Sequence, residues 1–200
     1  MTDQLDQIKE VANISTGHAA TALSTFLNRR VTMDVPLAFH CQLEDLPRLS
    51  IGKAEECVAV YAPVEGEAGG GMFFITSMTA ACLFVEQVLA DPFREEAFHK
   101  NALAQSAFQE IGNIVIGSYL TAFSEMMNVS SYPLVTELSI DLCGALLAEG
   151  AFHVLEEESF VLMETEMQLN DTEQAMTGLL LFIPNSDTVK ILTNQVPRPL

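Results

Sequence analysis

Apolar and polar residues alternate along the chain in two ways, one typical of helices and one typical of strands, and both patterns occur in each half. Residues 3–27 and 101–127 contain no proline and are rich in good helix formers, so each range predicts a long helix. Shorter apolar runs at 57–62 and 72–76 flank the sequence EGEAGGG, a combination that predicts a β-hairpin. The pattern therefore indicates helices packed on a sheet, in the α/β class.

The remaining elements follow in a similar order in the two halves. The first half adds an extended segment at 31–39 and an amphipathic helix at 79–89. The second half adds an extended segment at 133–140, a short helix at 141–148, strands at 160–169 and 178–183, and a closing helix at 186–195. No Pro-, Gly- or Ser-rich linker separates the halves. We therefore expect one domain over 1–200, built from approximate repeats at 1–99 and 100–200.

An internal repeat lies within the two long predicted helices. The pattern (D/S)-x3-E-x2-N-x3-G occurs twice with a constant offset of 100, as Asp6, Glu10, Asn13, Gly17 and as Ser106, Glu110, Asn113, Gly117. The agreement continues beyond the glycine, where Thr21, Ala22 and Ser24 recur as Thr121, Ala122 and Ser124. The chain is thus a duplicated unit. We expect an α/β sandwich with internal pseudo-two-fold symmetry, in which two motif-bearing helices pack on a mainly antiparallel sheet.

The spacing of the repeat places its four residues on one face of each helix, because steps of four, three and four residues approximate whole turns. Each face presents one carboxylate and one carboxamide a turn apart. A glycine inside a helix costs about 1 kcal/mol relative to alanine. Gly17 and Gly117 are therefore expected to allow close packing or close approach of a partner. Asp6 and Ser106 are expected either to cap or orient the helix or to contact the partner directly.

The charge of the chain argues against two classes of partner. It has 27 acidic residues against 9 Lys and Arg, a net charge of −18, and no basic tract. Such a chain does not neutralise the phosphates of nucleic acid and is a poor candidate for binding anionic membranes. The start MTDQLDQIKE does not resemble a targeting segment, and no apolar stretch reaches the roughly 18 residues of a membrane span. We therefore expect no membrane insertion, and the reduced cysteines described next favour the cytoplasm as the compartment.

The cysteines and histidines predict no metal site. The cysteines at 41, 57, 82 and 143 are widely spaced without a CxxC pair, which favours reduced, buried thiols over a disulfide or a zinc site. The four histidines are scattered without ligand spacing. We expect no cofactor of the chain's own. The core is expected to include the aromatic residues Phe73, Phe74, Phe84 and Phe182.

A carboxylate and a carboxamide alone do not form a catalytic site. They can do so if another molecule supplies the remaining catalytic groups. The chain has no GxSxG or GxxxxGK(S/T) motif, and its ligand set is too small for an independent metal-dependent hydrolase. Hydrolysis of an acyl phosphate, however, needs mainly an in-line water and charge balance at the phosphoryl group. An asparagine amide can orient that water, and a glutamate can hold a lysine of the partner by a charge-assisted bond.

On these residues the chain resembles the CheC family of chemotaxis phosphatases, within the CheC/CheX/FliY superfamily, which act on the phosphorylated response regulator CheY. The doubled motif carries the resemblance, together with GHAATALS at 17–24 and EIGNIVIGSYL at 110–120. It implies catalytic roles for Glu10, Asn13, Glu110 and Asn113, and partner contacts for Asp6, Gly17, Ser106 and Gly117. It further implies Mg²⁺ held by the bound CheY receiver, and a second partner, the deamidase CheD, associated with greater phosphatase activity.

The first copy departs from the common wording of the family. Val11-Ala12 replaces an Ile-Gly pair and Ser15-Thr16 replaces Gly-Ala. We expect a bulkier helix face there to hinder a partner, which makes the second copy the stronger site. The departure also keeps an alternative open, a non-catalytic adaptor that binds phosphorylated CheY or CheD and regulates by occupancy.

Overall fold

The computed structural model describes residues 2–34, 37–42, 56–90, 95–154, 159–169 and 176–195. The elements within these ranges are, in chain order, α1 (Thr2–Leu27), β1 (Val31–Met33), β2 (Leu37–Gln42), β3 (Glu56–Gly66), β4 (Gly70–Ser77), α2 (Met78–Leu89), α3 (Glu95–Phe98), α4 (Ala102–Met127), β5 (Ser131–Pro133), β6 (Glu137–Leu142), α5 (Cys143–Val154), β7 (Ser159–Leu169), β8 (Met176–Pro184) and α6 (Ser186–Gln195).

The two long helices are confirmed, and each ends at an asparagine. Helices α1 and α4 both run for 26 residues. Asn28 and Asn128 follow them in the left-handed conformation, each with φ of 50°, a conformation that ends a helix and that asparagine tolerates. Asn101 caps the start of α4, because its side-chain oxygen accepts from the backbone N–H groups of Leu103 and Ala104. Both the first and the last residues of the two helices are therefore 100 positions apart.

The strands form one antiparallel sheet, which confirms the α/β class. Its order is β1-β7-β8-β4-β3-β5, with β2 also paired to β7 and β6 also paired to β3. The hairpin β3–β4 is present, and its strands extend beyond the predicted bounds into the EGEAGGG segment, where Val64 pairs with Gly70. Gly66 and Gly70 have φ of 117° and 154°, so glycine is what allows the chain to reverse there.

The two sequence halves exchange strands within this sheet. Strands β1 and β2 of the first half pair with β7 of the second, and β5 and β6 of the second half pair with β3 of the first. The extended segments predicted at 31–39 and 133–140 are each divided into a short strand and a longer one. The exchange joins both halves into a single layer.

The core lies on both faces of the sheet. Alternate side chains of β3, such as Val58 and Val60, pack with α1, α2 and α4, whereas the residues between them pack with α5. The predicted aromatic core residues are confirmed, because Phe73, Phe74, Phe84 and Phe182 are each at most 2% exposed. Helix α6 begins and ends at the predicted residues. Helix α5 runs over Cys143–Val154 rather than 141–148, because residues 141 and 142 belong to β6 and pair with β3. No helix in the part of the chain covered above has both the length and the apolar character needed to cross a bilayer.

The prediction of reduced thiols is wrong for one pair of cysteines. Cys57 of β3 and Cys143 of α5 form a buried disulfide, with their Cα atoms 5.3 Å apart. The pairing of β3 with β6 causes this approach, because it places Cys57 opposite Asp141, two residues before Cys143. The sequence separation of 86 residues hides that proximity from any argument based on local spacing. Cys82 is buried, as predicted, while the side chain of Cys41 lies outside the described residues.

Candidate functional site

Both motif copies lie on the outer faces of their helices. Glu10, Asn13 and Gly17 are exposed on α1. On α4 the exposed set comprises Ser106, Glu110 and Asn113, and Gly117 is half-exposed. The side chain of Asp6 lies outside the described residues, so its role stays a prediction. The structure therefore brings the candidate catalytic residues to the surface as two solvent-accessible Glu–Asn pairs.

The departures of the first copy lie on the opposite, buried face of α1. Val11, Ala12, Ser15 and Thr16 are each at most 5% exposed. The hydroxyl of Ser15 donates to the backbone oxygen of Val11 at 2.9 Å, within the helix. The expectation that these residues hinder a partner is therefore wrong, because they lie between the motif positions in sequence and their side chains are buried on the other face of the helix.

A groove of about 720 Å³ separates the exposed faces of α1 and α4. The two helices lie side by side over the sheet. The groove is lined from both helices by Ile14, Gly17, His18, Thr21, Ala22, Asn113, Ile114, Gly117, Ser118 and Thr121. One of the predicted catalytic side chains, Asn113, thus borders the same groove as both motif glycines.

The motif glycines keep this groove open rather than allowing close packing within the chain. A Cβ atom at Gly17 or Gly117 would meet no atom within 4 Å beyond its own stretch of helix. Gly112 is different, because a Cβ there would lie 2.6 Å from the Cβ of Val60. Of the two roles expected for Gly17 and Gly117, the structure excludes internal packing. Access for a partner therefore stays a prediction.

The second motif is part of a side-chain network that sequence reasoning missed. The Thr136 hydroxyl donates to Asn113 Oδ1 at 2.6 Å, and Asn113 Nδ2 donates to Glu110 Oε2 at 3.4 Å. Gln109 Nε2 donates to both the backbone oxygen and the hydroxyl oxygen of Thr136, at 2.8 and 3.1 Å. Gln109 adjoins the motif and could have been noticed for that reason. Thr136 carries no sequence signal, since it lies 23 residues beyond Asn113.

Apolar side chains are exposed beside this network. Val135, next to Thr136, is 86% exposed, and Leu134 is 40% exposed. Ile14, next to Asn13 on α1, is 38% exposed. The polar groups of the two motifs are thus accompanied by apolar surface, a combination typical of protein-binding sites.

The described residues contain no group of three or more His, Cys, Asp and Glu side chains arranged to hold a metal ion. The expectation that Mg²⁺ enters with the partner stays a prediction. Each motif can offer a carboxylate to a cation and a carboxamide to a water molecule. The use of these groups on another protein stays a prediction.

Comparison with known proteins shows sequence similarity to the CheC-like family and to two phosphatases of Bacillus subtilis. The CheC-like family matches residues 4–40 and 103–130, which contain both motif copies. The chain is 31% identical over 192 residues to the CheY-P phosphatase CheC of Bacillus subtilis (strain 168), covering 95% of this chain and 92% of that protein. The flagellar motor switch phosphatase FliY of the same organism is 29% identical over 133 residues, covering 62% of this chain and 33% of FliY.

Solved structures share the fold at low sequence identity. The crystal structure of Thermotoga maritima FliY matches with a TM-score of 0.75 and 20% identity, covering 96% of this chain and 94% of that one. The CheX–CheY–BeF3–Mg²⁺ complex from Borrelia burgdorferi matches with a TM-score of 0.59 and 12% identity, covering 91% of this chain and 99% of the matched chain. These similarities establish the architecture that carries the two motif helices.

Proposed function

This chain belongs to the CheC-like family, and we propose that it hydrolyses the aspartyl phosphate of a CheY-type response regulator in bacterial or archaeal chemotaxis. The observation that carries the proposal is the pair of exposed Glu–Asn faces, Glu10 with Asn13 and Glu110 with Asn113. The similarity to a CheY-P phosphatase over nearly the whole chain supports it. The structural similarity to a complex that contains CheY supports a receiver as the partner.

The proposed chemistry divides the reaction between two proteins. The receiver supplies the phospho-aspartate, a lysine and bound Mg²⁺, and this chain supplies an amide and a carboxylate. Asn13 or Asn113 orients a water molecule in line with the acyl phosphate bond, while Glu10 or Glu110 holds the receiver's lysine. Water oxygen bonds to phosphorus as the bond to the aspartyl oxygen breaks. The products are the free aspartate and inorganic phosphate. The two protons of the water pass to the phosphate and to the solvent.

A reaction shared between two proteins requires that the motif side chains be exposed. A receiver's phosphorylated aspartate belongs to another folded protein, so a group that reaches it has to project from the surface of this chain. The groove between α1 and α4 and the apolar side chains around it provide a docking face in the same place. We place the receiver on this face, with Gly17 and Gly117 allowing its approach.

Substitution of the two asparagines tests the proposed reaction. Loss of one positioning group commonly slows an enzyme about 100-fold. We expect Asn13→Ala with Asn113→Ala to reduce phosphate release from phosphorylated CheY to the receiver's own rate, while each single variant keeps part of the activity. Bacillus subtilis CheC serves as the positive control. Full activity of the double variant would contradict the mechanism, and receiver binding by wild type without any increase in rate would favour the adaptor.

CheD is the second partner that we propose, as a stimulator of the phosphatase. Its effect is measured by adding CheD to the same assay with wild-type protein and with the double asparagine variant. We expect a higher rate for wild type and no gain for the double variant, because CheD does not replace the water-orienting amide. An unchanged rate with wild type, under conditions where CheD binds, would contradict this part of the proposal.

A further inference from the structure

We infer that Thr136 is a positioning residue for the second motif, with its hydroxyl holding the Asn113 carboxamide in the orientation that places the water. The inference rests on the proposed phosphatase function, which it deepens. Thr136 lies between β5 and β6, outside the helix that carries the motif, and its hydroxyl is 2.6 Å from Asn113 Oδ1. This bond is the shortest of those that Asn113 makes in the network.

The donor and the acceptor of each hydrogen bond in this network follow from the chemistry of the groups, because some can only donate and others can only accept. The Gln109 amide nitrogen has only protons to offer, so the Thr136 hydroxyl oxygen accepts from it. The hydroxyl proton is then available for Asn113 Oδ1, which only accepts. The nitrogen of Asn113 consequently faces Glu110, to which it donates. The carboxamide is therefore held in one of its two flipped orientations.

Thr136 is itself held from both sides. Its backbone oxygen accepts from Gln109 Nε2 at 2.8 Å, which joins it to α4. The N–H of Leu134, two residues earlier, donates to the backbone oxygen of Pro63 at 2.8 Å. Glu137, the next residue, begins the register of β6 on β3, opposite Tyr61. Thr136 is thus connected to α4 through Gln109 and to the sheet through its chain neighbours, which holds its hydroxyl in place beside the exposed Asn113 side chain.

This arrangement leaves the working parts of the amide accessible. A carbonyl oxygen has two lone pairs, and the Thr136 hydroxyl uses one of them. The second lone pair can accept from a water molecule, and the second N–H can donate. Holding the side chain before the partner arrives removes rotamer freedom that the reaction would otherwise have to restrict. The expected contribution is to the rate within the complex rather than to affinity.

The first motif lacks the same side chains. With the offset of 100, the residues that correspond to Thr136 and Gln109 are Pro36 and Lys9. Proline has no hydroxyl, so this bond to Asn13 has no counterpart at that sequence position, which lies outside the described residues. The difference supplies a physical reason for the second copy to be the stronger site, in place of the bulk at residues 11–16.

The test isolates each motif by removing the asparagine of the other. In an Asn13→Ala background, Thr136→Val removes the hydroxyl with little change of shape, and Thr136→Ser retains it. The assay measures phosphate release from Bacillus subtilis CheY phosphorylated with phosphoramidate, over a range of CheY concentrations. We expect Thr136→Val to lower kcat about three- to tenfold with KM within about twofold, and Thr136→Ser to stay close to its parent. Thr25→Val, at an exposed threonine of α1 outside the groove lining, is the matched control.

The same substitution in an Asn113→Ala background separates positioning from other effects. There the remaining activity comes from the first motif, and Thr136→Val should leave it unchanged. An equal loss in this background would overturn the inference, because Thr136 would then act on the whole protein or on the partner. A rise in KM without a change in kcat would overturn it as well, since that result marks a contact with the receiver.

A spectroscopic measurement on the protein alone tests the bond independently of catalysis. The side-chain amide signals of Asn113 are identified by their loss in Asn113→Ala and followed by ¹⁵N-resolved NMR. We expect Thr136→Val, and not Thr136→Ser, to shift them and to speed their exchange with water. Unchanged signals would overturn the inference even if no variant were active. Absence of activity in wild type and in both backgrounds would count against the proposed function, and would leave the NMR result to decide the role of Thr136.

Discussion

Two glycines five residues apart in α4 show how differently the same residue type can act. A methyl group at Gly112 would meet the side chain of Val60 at 2.6 Å, whereas one at Gly117 would enter open space. The matching position to Gly112 in the first copy is Ala12, which is buried and therefore already accommodates its methyl group. Sequence spacing identified Gly117 as special, and contact with the sheet identifies Gly112.

Alanine substitution at these two glycines should change stability in opposite directions. Gly112→Ala forces a methyl group against Val60, and we expect it to lower the free energy of unfolding by about 1–3 kcal/mol. Gly117→Ala improves helix propensity without a clash, and we expect a gain of up to about 1 kcal/mol. Urea unfolding followed by circular dichroism measures both, with Gly17→Ala as a second open position. A destabilised Gly117→Ala variant would show that the groove is not open in solution.

The motif residues were predictable one by one, whereas their support was not. Asn113 and Glu110 are found from the repeat, because a helix converts sequence spacing directly into a common face. Thr136 approaches Asn113 only because β5 and β6 pair with β3 beside α4. A side chain that tertiary structure brings to the site is not part of the sequence repeat. The repeat alone therefore does not show that Thr136 holds Asn113.

Among the elements, the helices were the most accurately predicted and the irregular connections the least. Helices α1, α4 and α6 follow from composition and local breakers, since their hydrogen bonds join residues four apart. Segments 31–39 and 133–140 were each expected as one extended run. In each segment both parts pair with the same strand, β7 or β3, but the register differs by one residue between them. Local pattern does not contain that information.

The groove between α1 and α4 predicts how the docking face should respond to added bulk. Leucine at Gly17 or Gly117 would extend into the space that we assign to the receiver. We expect either variant to raise the Kd for phosphorylated CheY about tenfold or more, measured by fluorescence titration of labelled CheY. Gly144→Leu is the matched control, because Gly144 is also helical, also has open space at its Cβ, and lies in α5 outside the groove lining. Equal affinity of the groove variants and the control would place the receiver elsewhere.

At the scale of the whole molecule, the disulfide closes a large loop of the chain. Cys57 and Cys143 are 86 residues apart, and they join the sheet to α5 on the side away from the motif helices. A link across so long a segment restricts the unfolded chain and typically contributes about 2–4 kcal/mol. The contribution concerns stability, since the bond does not touch either Glu–Asn pair.

Reduction should therefore weaken the fold without removing the chemistry. We expect dithiothreitol to lower the free energy of unfolding of wild type by about 2–4 kcal/mol and to leave Cys57→Ala with Cys143→Ala unaffected. Phosphate release per folded molecule should be the same in both states at moderate temperature. Equal urea midpoints for wild type with and without reductant would show that the bond is not formed in the purified protein.

The exchange of strands between the halves has a consequence for synthesis on the ribosome. Val31 in the first strand pairs with Leu169, so its partner emerges only after about 140 more residues have been made. At roughly 5–20 residues per second, that interval lasts on the order of ten seconds. The nascent first half carries β1 and β2 without the strand that pairs with them here, and the sheet closes only after β7 has been synthesised. Until β7 has left the ribosome, β1 and β2 expose unpaired strand edges on which neighbouring polypeptides can pair.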